Sequence, residues 1–313
     1  MYDSQMENNM VYRFRSYAKI NWFLKIGKRR PDGYHDILSI MQLIDFYDII
    51  DLYSMNQNSD EIQCNYEIPT GEKSLLGRLL YLLREANPQI KDRYFGIKIT
   101  KNIPPSSGLG GASSNVANVL KKMNDILKLS YKDEKMVELS AKLGSDIPFF
   151  TVGYPFAIIS GKGEKVIPLS QPPEKYLVLV FPEIGVDTSW AYREWDNQPE
   201  NQKYQTILSE KDYLSGFCSS KIEKYIWNDF EKIIFKQFPK LSFYKKILVQ
   251  MGCSSVFMTG SGSTIIGIVP SQKKAIDVVK KLHQRGINSR WTTTVVKIDN
   301  NLIINKVGGE NHD

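Results

Sequence analysis

The sequence predicts a two-lobed α+β fold, and three observations carry that prediction. At 313 residues the chain exceeds what one hydrophobic core usually organises. Between Phe95 and Leu127 a strand pattern, a glycine-rich loop and a helical pattern follow one another. Beyond Pro173 come an apolar strand, helices and a second glycine loop set between two short strands, enough for a second α+β layer. With 42% hydrophobic and 24% charged residues the composition is that of a globular protein, which excludes collagen-like, disordered and coiled-coil chains.

From Tyr12 to Ile26 the residues alternate, with Ala18, Ile20, Trp22, Leu24 and Ile26 on one face of a strand and Lys19, Asn21, Phe23 and Lys25 on the other. Lys19 and Asn21 therefore point the same way, about 7 Å apart. Arg30-Pro31-Asp32-Gly33 supplies a fixed φ and a residue free to take positive φ, so it reads as a turn into a second strand, Ile40 to Leu52. Ser74 to Glu85 reads as a helix and Phe95 to Lys101 as a strand, and after the glycine-rich loop a helix runs from Val116 to Leu127. Asp133 has the chemistry of an N-cap for the next helix, which Gly144 terminates. The lobes are expected to divide near Pro168 to Pro173, giving domains 10–168 and 169–313. In the second, strands are expected at Tyr176 to Phe181, Ser255 to Met258 and Ile265 to Val269. Helices are expected at Lys221 to Lys236, Lys240 to Met251 and Gln272 to Arg285, with a polar segment at Trp195 to Gln205. The termini, Met1 to Asn9 and Gly308 to Asp313, read as frayed.

No stretch reaches the roughly 18 apolar residues of a spanning helix. The first ten residues hold Asp3 and Glu7 and no apolar run, so a cytoplasmic address is expected. Cys64, Cys218 and Cys253 lack metal or redox spacing and read as structural thiols. The net charge of +7 would suit nucleic acid, an acidic membrane or a polyanionic small molecule. The basic clusters, such as Lys28-Arg29-Arg30 and Lys121-Lys122, are short and mostly fall on helical patterns. Charge alone suits a phosphorylated small molecule as well as RNA; an RNA-binding protein would need aromatics interleaved along a basic surface, and because two glycine loops and the Lys19/Asp146 pair dominate instead, it is a minor alternative and a small molecule, with neither nucleic acid nor membrane, is the expected partner.

The loop Ser106 to Asn115 holds three glycines and four serines ahead of a helix. Backbone N–H groups there can surround a phosphate with the helix dipole aiding, although a tight strand-to-helix connection would use the same residues. The Walker lysine is missing. The dinucleotide pattern fails at Ser113 and lacks its acidic partner, so an NAD-dependent oxidoreductase is a weak alternative. Protein-kinase HRD and DFG motifs are absent.

Three segments together resemble the GHMP small-molecule kinases: Ala18-Lys19-Ile20-Asn21, the loop Pro104 to Asn115, and Thr259-Gly260-Ser261-Gly262-Ser263. Arg30-Pro31-Asp32-Gly33-Tyr34-His35 and Leu143-Gly144-Ser145-Asp146-Ile147-Pro148 are similar to the branch of that family acting on a cytidine-diphosphate alcohol. The resemblance runs in the same order from about Ser16 to Ile268. It implies a two-domain GHMP kinase fold, with an N-terminal lobe like ribosomal protein S5 domain 2, containing a left-handed βαβ unit, and a ferredoxin-like C-terminal lobe. It also implies transfer of the ATP γ-phosphate to the 2-hydroxyl of a cytidine-diphosphate methylerythritol, in the non-mevalonate isoprenoid route, by a monomer or weak homodimer using Mg²⁺.

Under that resemblance Asp146 is the base and Lys19 its electrostatic partner. Asn21, Tyr34, His35, Thr188 and Tyr192 bind the substrate, with Tyr34 and Tyr192 on opposite faces of the cytosine, His35 reading its edge and Thr188 near the diphosphate. Pro104, Ser106, Ser107, Gly108, Leu109, Gly110, Gly111, Ala112, Ser113, Ser114, Asn115, Gly260, Ser261 and Gly262 bind ATP. The metal ligands stay open, since Ser113 and Ser114 both compete for the role. Two departures stand out: Ser74-Leu75 occupies the place of the family's adenine-contacting Asn-Leu, and Val116 stands where Ala is usual.

Overall fold

The computed structural model describes residues 10–69, 71–199 and 222–298, together with the backbone of Ile303–Lys306. Cys218, Lys221, the far end of the polar segment Trp195 to Gln205 and the termini lie outside the described residues.

Strands β1 (Met10–Arg29) and β2 (His35–Met55) form a long antiparallel ribbon. The turn between them closes through Arg30 N–H to the Tyr34 carbonyl at 2.7 Å, with Gly33 at φ +86°. Strands β3 (Glu61–Cys64) and β4 (Tyr94–Thr100) extend one edge, and β5 (Phe156–Ser160) and β6 (Lys165–Pro168) branch from the outer half of β2. Helices α1 (Leu75–Ala86), α2 (Gly111–Ile126), α3 (Asp133–Ala141) and α4 (Ile147–Val152) complete the first lobe. Leu79, Leu80 and Leu83 of α1 and Val116, Val119 and Leu120 of α2 pack with Phe95, Ile97 and Ile99 in one core.

The second lobe comprises β7 (Tyr176–Val180), α5 (Thr188–Asp196), β8 (Trp227–Asn228), α6 (Phe230–Gln237), α7 (Lys240–Gln250), β9 (Ser255–Met258), β10 (Ile265–Val269), α8 (Gln272–His283) and β11 (Ser289–Thr293). Its sheet runs β11-β7-β10-β9, antiparallel throughout. That is the fourth-first-third-second order of a ferredoxin-like sheet. The lobes share a core in which Ile20, Trp22, Ile40 and Phe156 meet Leu177, Leu179, Phe257 and Ile266. Trp22 and Phe257 lie with centroids 5.5 Å apart, each fully buried. Burial of such a side chain contributes roughly 1.5–3 kcal/mol, so the cleft between the lobes rests on a packed base.

Several expectations need correction. The register of β1 shifts between Asn21 and Phe23, so Leu24 and Ile26 pack in the second lobe's core while Ala18, Ile20 and Trp22 stay in the shared one. A bulge inserts one residue and breaks strict alternation. Helix α2 begins at Gly111, not Val116, because its first turn is glycine, alanine and serine and carries no apolar periodicity. Lys132, not Asp133, holds the cap position of α3. Helices α4 and α5 were not expected; Pro148 opens the former and Gly153, at φ +77°, ends it, while the Asp187 side chain caps the latter by accepting from Trp190 N–H at 2.6 Å. The helix expected from Lys221 to Lys236 is instead a 3₁₀ turn (Ile222–Tyr225), the short β8 and α6. Ile303–Lys306 forms β12 and pairs with Met10–Arg13, so the end of the chain returns to the first sheet.

Candidate active site

Two glycine loops meet at the cleft. The first, Pro104 to Gly110, leaves β4 and enters α2 through Gly110 at φ +72°. The amides of Gly111, Ala112 and Ser113 open that helix, the turn in which N–H groups lack an i−4 carbonyl and suit an anion. The second loop, Thr259 to Thr264, joins β9 to β10 and is tied down by Asn228, whose amide donates to the Met258 and Gly260 carbonyls at 2.9 and 2.8 Å. The loops touch through backbone. Thr264 N–H donates to the Ser107 carbonyl at 3.2 Å. A Cβ on Gly108, itself at φ +79°, would lie 2.3 Å from the Thr259 carbonyl oxygen, so only glycine permits this approach.

Lys19 sits beneath that junction. Its backbone N–H donates to the Leu109 carbonyl at 2.9 Å, and its Nζ, almost wholly buried, donates to Asn21 Oδ1 at 2.7 Å. Asn21 is itself held on three sides: Nδ2 donates to Ser39 Oγ at 2.8 Å, its backbone N–H donates to Thr259 Oγ1 at 2.9 Å, and Thr259 Oγ1 donates to Asn21 Oδ1 at 3.2 Å. The ammonium is 3.4 Å from Asp146 Oδ2. Asp146 occupies the cap position of α4 but makes no capping hydrogen bond, so its carboxylate is not consumed by the backbone. A Cβ on Gly260 would stand 3.3 Å from Lys19 Nζ, which places the cation against the second loop as well.

The cleft encloses about 570 Å³. Lys19, Asn21, Pro104, Ser106, Ser107, Gly108, Gly110, Gly111, Ala112, Ser113, Asn115, Asp146, Thr188, Tyr192, Gly260, Ser261 and Gly262 line it, so most of the expected site residues converge. Leu109 and Ser114 do not: the Leu109 side chain is in the shared core, and Ser114 Oγ accepts from Ser16 Oγ at 2.8 Å on the other side of α2. Helical geometry turns Ser114 about 100° from Ser113, leaving Ser113 as the serine that faces the cleft. Thr188 Oγ1 and Ser261 Oγ share a 2.8 Å hydrogen bond. One end of the cleft is apolar, with Ile68, Pro69, Leu75, Leu76, Ile99 and Val116. Ser74 stands beside it with its hydroxyl occupied: it accepts from Gly77 N–H at 3.0 Å and donates to the Gly71 carbonyl at 2.7 Å, capping α1.

Sequence reasoning missed a supporting set beside the first loop. Lys101, at the cleft wall, pairs with fully buried Asp48 at 2.5 Å. Asp48 also accepts from Asn102 and Ile103 N–H, each at 2.8 Å, and from Asn115 Nδ2 at 3.1 Å, joining the strand end to the first turns of α2. The available signal was a pair of carboxylates, Asp48 and Asp51, in the otherwise apolar run Phe46 to Leu52. Asn228 left no comparable signal.

At the other end, His35 stacks on Tyr192 with centroids 5.1 Å apart and an interplanar angle of 13°. Its Nε2 lies 2.8 Å from Asp196 Oδ1, and Arg29 approaches the same carboxylate at 3.7 Å. Tyr192 also meets Phe230 edge-on at 5.0 Å. Burial, with the Asp146 charge adding to it, pushes the Tyr192 phenol upward and keeps it neutral. Tyr34, just ahead of β2, is 52% exposed, with Lys162 Nζ 4.7 Å from its ring centroid, while His35 beside it is buried.

The sequence patterns of two families match this chain: GHMP kinases N terminal domain over residues 74–154 and GHMP kinases C terminal over residues 219–288. The 4-diphosphocytidyl-2-C-methyl-D-erythritol kinase of Thermodesulfovibrio yellowstonii is 34% identical over 275 residues, 85% of this chain and 92% of the relative. The enzyme of the same name from Geotalea daltonii is 34% identical over 90% of this chain and 96% of its own. Among solved structures, a 4-(cytidine 5'-diphospho)-2C-methyl-D-erythritol kinase superposes with a TM-score of 0.74 at 28% identity, covering 90% of this chain and 98% of the other. The homoserine kinase of Cytophaga hutchinsonii superposes at 0.69 with 17% identity over 95% and 97%, a likeness of fold.

Proposed function

The chain belongs to the GHMP kinases, enzymes that phosphorylate an alcohol with ATP, and from that premise we propose the chemistry of its cleft. The substrate is 4-(cytidine 5'-diphospho)-2-C-methyl-D-erythritol, phosphorylated at the 2-hydroxyl in the non-mevalonate isoprenoid route, the activity carried by the names of its relatives. The observation that carries the reading is the buried Lys19 ammonium, fixed by Asn21 at 2.7 Å and set 3.4 Å from the uncapped carboxylate of Asp146 beneath both glycine loops.

The ATP phosphates lie along the amides of Gly111, Ala112 and Ser113, with adenine in the apolar end. Asp146 accepts a hydrogen bond from the attacking hydroxyl, aligns its lone pair with the γ-phosphorus, and takes the proton as the new P–O bond forms and the bond from the γ-phosphorus to the bridging oxygen breaks, ADP leaving with that oxygen. Lys19 orients that carboxylate through the 3.4 Å ion pair and offsets charge spreading over the transferred phosphoryl oxygens. His35 and Tyr192 form the wall against which the cytosine rests, oriented through Asp196. The donors on the cleft suit Mg²⁺, a hard cation that keeps few protein ligands: Ser113 Oγ faces the phosphates, and buried Asn115 Oδ1 has no hydrogen-bond partner. Ser113, with the phosphates themselves, would hold the metal, which supplies charge neutralisation at the β- and γ-oxygens.

The test is ADP release with Mg-ATP when the cytidine-diphosphate alcohol is offered beside mevalonate, homoserine and galactose. Turnover of the first alone is expected. Turnover of another alcohol in its place would overturn the substrate and the reading of His35 and Tyr192 together.

A further inference from the structure

A second cleft, of about 780 Å³, lies on the side of α2 away from the glycine loops. It is bounded by β1, β2, α2, the start of α3 and the end of α4, and the kinase reaction uses none of its side chains. Two cations face it without an ion pair among the described residues. Lys121 is half-buried beside Lys122, and its Nζ donates to the Phe150 carbonyl at 2.9 Å. Arg15 lies over the Tyr47 ring, 4.6 Å from its centroid. Arg13 is spent on Asp51 at 2.6 Å, and Lys122 is 3.8 Å from Asp125. The walls between the cations are apolar and aromatic, chiefly Leu43, Ile49, Tyr17, Met136 and Phe150.

Lys121 spends its one hydrogen bond on a carbonyl and has Asp125 and Asp133 nearby without an ion pair to either, so an anion placed beside it in the cleft would supply a direct countercharge. The aromatic walls ask for an apolar body on that anion, and a bounded cleft of about 780 Å³ suits a small molecule and not a polymer. We propose that this cleft is a second, distinct binding site for a small organic phosphate with an aromatic or apolar body, held by Lys121 and Arg15. Its occupant would pack on the same helix that presents the first glycine loop, where Ser16 Oγ already bonds Ser114 Oγ at 2.8 Å. By linkage, whatever the occupant does to ATP affinity, ATP does to the occupant's.

Lys121 is pushed down to about 8 by burial first and by Lys122 second. The other charged groups lining the cleft are Asp125 on the same helix, Asp133 at the start of α3, and Arg13 and Arg15 on β1; β1, β2 and the chain after α4 offer the phenols Tyr17, which hydrogen-bonds Arg15, Tyr47 and Tyr154. An anion requires the protonated lysine, so affinity is expected to fall as pH rises through about 8.

The experiment is calorimetric titration of the full-length kinase with phenyl phosphate while a non-hydrolysable ATP analogue and Mg²⁺ saturate the first cleft. One further equivalent is expected to bind, with inorganic phosphate at least about tenfold weaker for want of the apolar contact. Lys121→Met and Arg15→Gln should each weaken phenyl phosphate by at least about tenfold, the loss of one charge-assisted contact, with kcat and the KM for ATP in its absence unchanged. Loss of all binding when the analogue is present, equal affinity for inorganic phosphate, or undiminished binding in the variants would each overturn the proposal. Should Lys121→Met not fold, the exposed Arg15→Gln decides.

Discussion

The two ends of the kinase cleft are built differently. At the phosphate end backbone takes part in several of the ties: the Lys19 N–H to the Leu109 carbonyl, the Asn21 N–H to Thr259 Oγ1, and Gly108 against the Thr259 carbonyl, with the Lys19–Asp146 ion pair the side-chain contact between distant segments. At the cytidine end the contacts join side chains from distant segments, His35 at the head of β2 with Tyr192 and Asp196 of α5, and only their rings and one carboxylate meet. Backbone-tied geometry leaves few alternatives, whereas side-chain geometry across elements depends on how the elements pack. The phosphate end should therefore respond to substitution through turnover and folding, and the cytidine end through substrate affinity.

The largest effect is expected at the carboxylate. Asp146→Asn should lower kcat by about 10²- to 10⁴-fold with both KM values nearly unchanged, as steady-state kinetics would read; near-normal turnover would remove Asp146 from the chemistry. Next comes Gly108→Ala, which sets a methyl 2.3 Å from the Thr259 carbonyl oxygen at positive φ. A loss of about 1–3 kcal/mol in thermal or denaturant unfolding, with a raised KM for ATP, is expected, and an unperturbed melting curve would show that the loops do not interlock in solution.

His35→Ala should raise the KM for the cytidine-diphosphate substrate about tenfold, in line with stacking of about 1–3 kcal/mol per base, and leave the KM for ATP alone. Tyr34→Ala, at the exposed rim, should change it by less than about threefold. The reverse ranking would mean that cytosine sits on Tyr34, as the motif alone had led us to expect. The smallest effect is at Ser74→Ala, which removes the cap of α1 and should cost about 1 kcal/mol of stability with turnover preserved; a large change in the KM for ATP would instead make Ser74 an adenine contact.

By itself the sequence determined the α+β class, the two glycine loops and the shared face of Lys19 and Asn21, because strand periodicity and glycine's freedom at positive φ are local properties of the chain, and its three motifs carried the resemblance to the family. Strands Ser255–Met258 and Ile265–Val269 coincide with their expected bounds for that reason. What only the tertiary structure decided follows from non-local packing. The bulge after Asn21 redirects Leu24 and Ile26 into the second lobe. The early start of α2 turns Ser113 toward the cleft and Ser114 away from it. Asn228 breaks an expected helix to hold the second loop, and His35 stacks on Tyr192. Each of these rests on partners dozens to hundreds of residues away, and no window of sequence contains both members of such a pair.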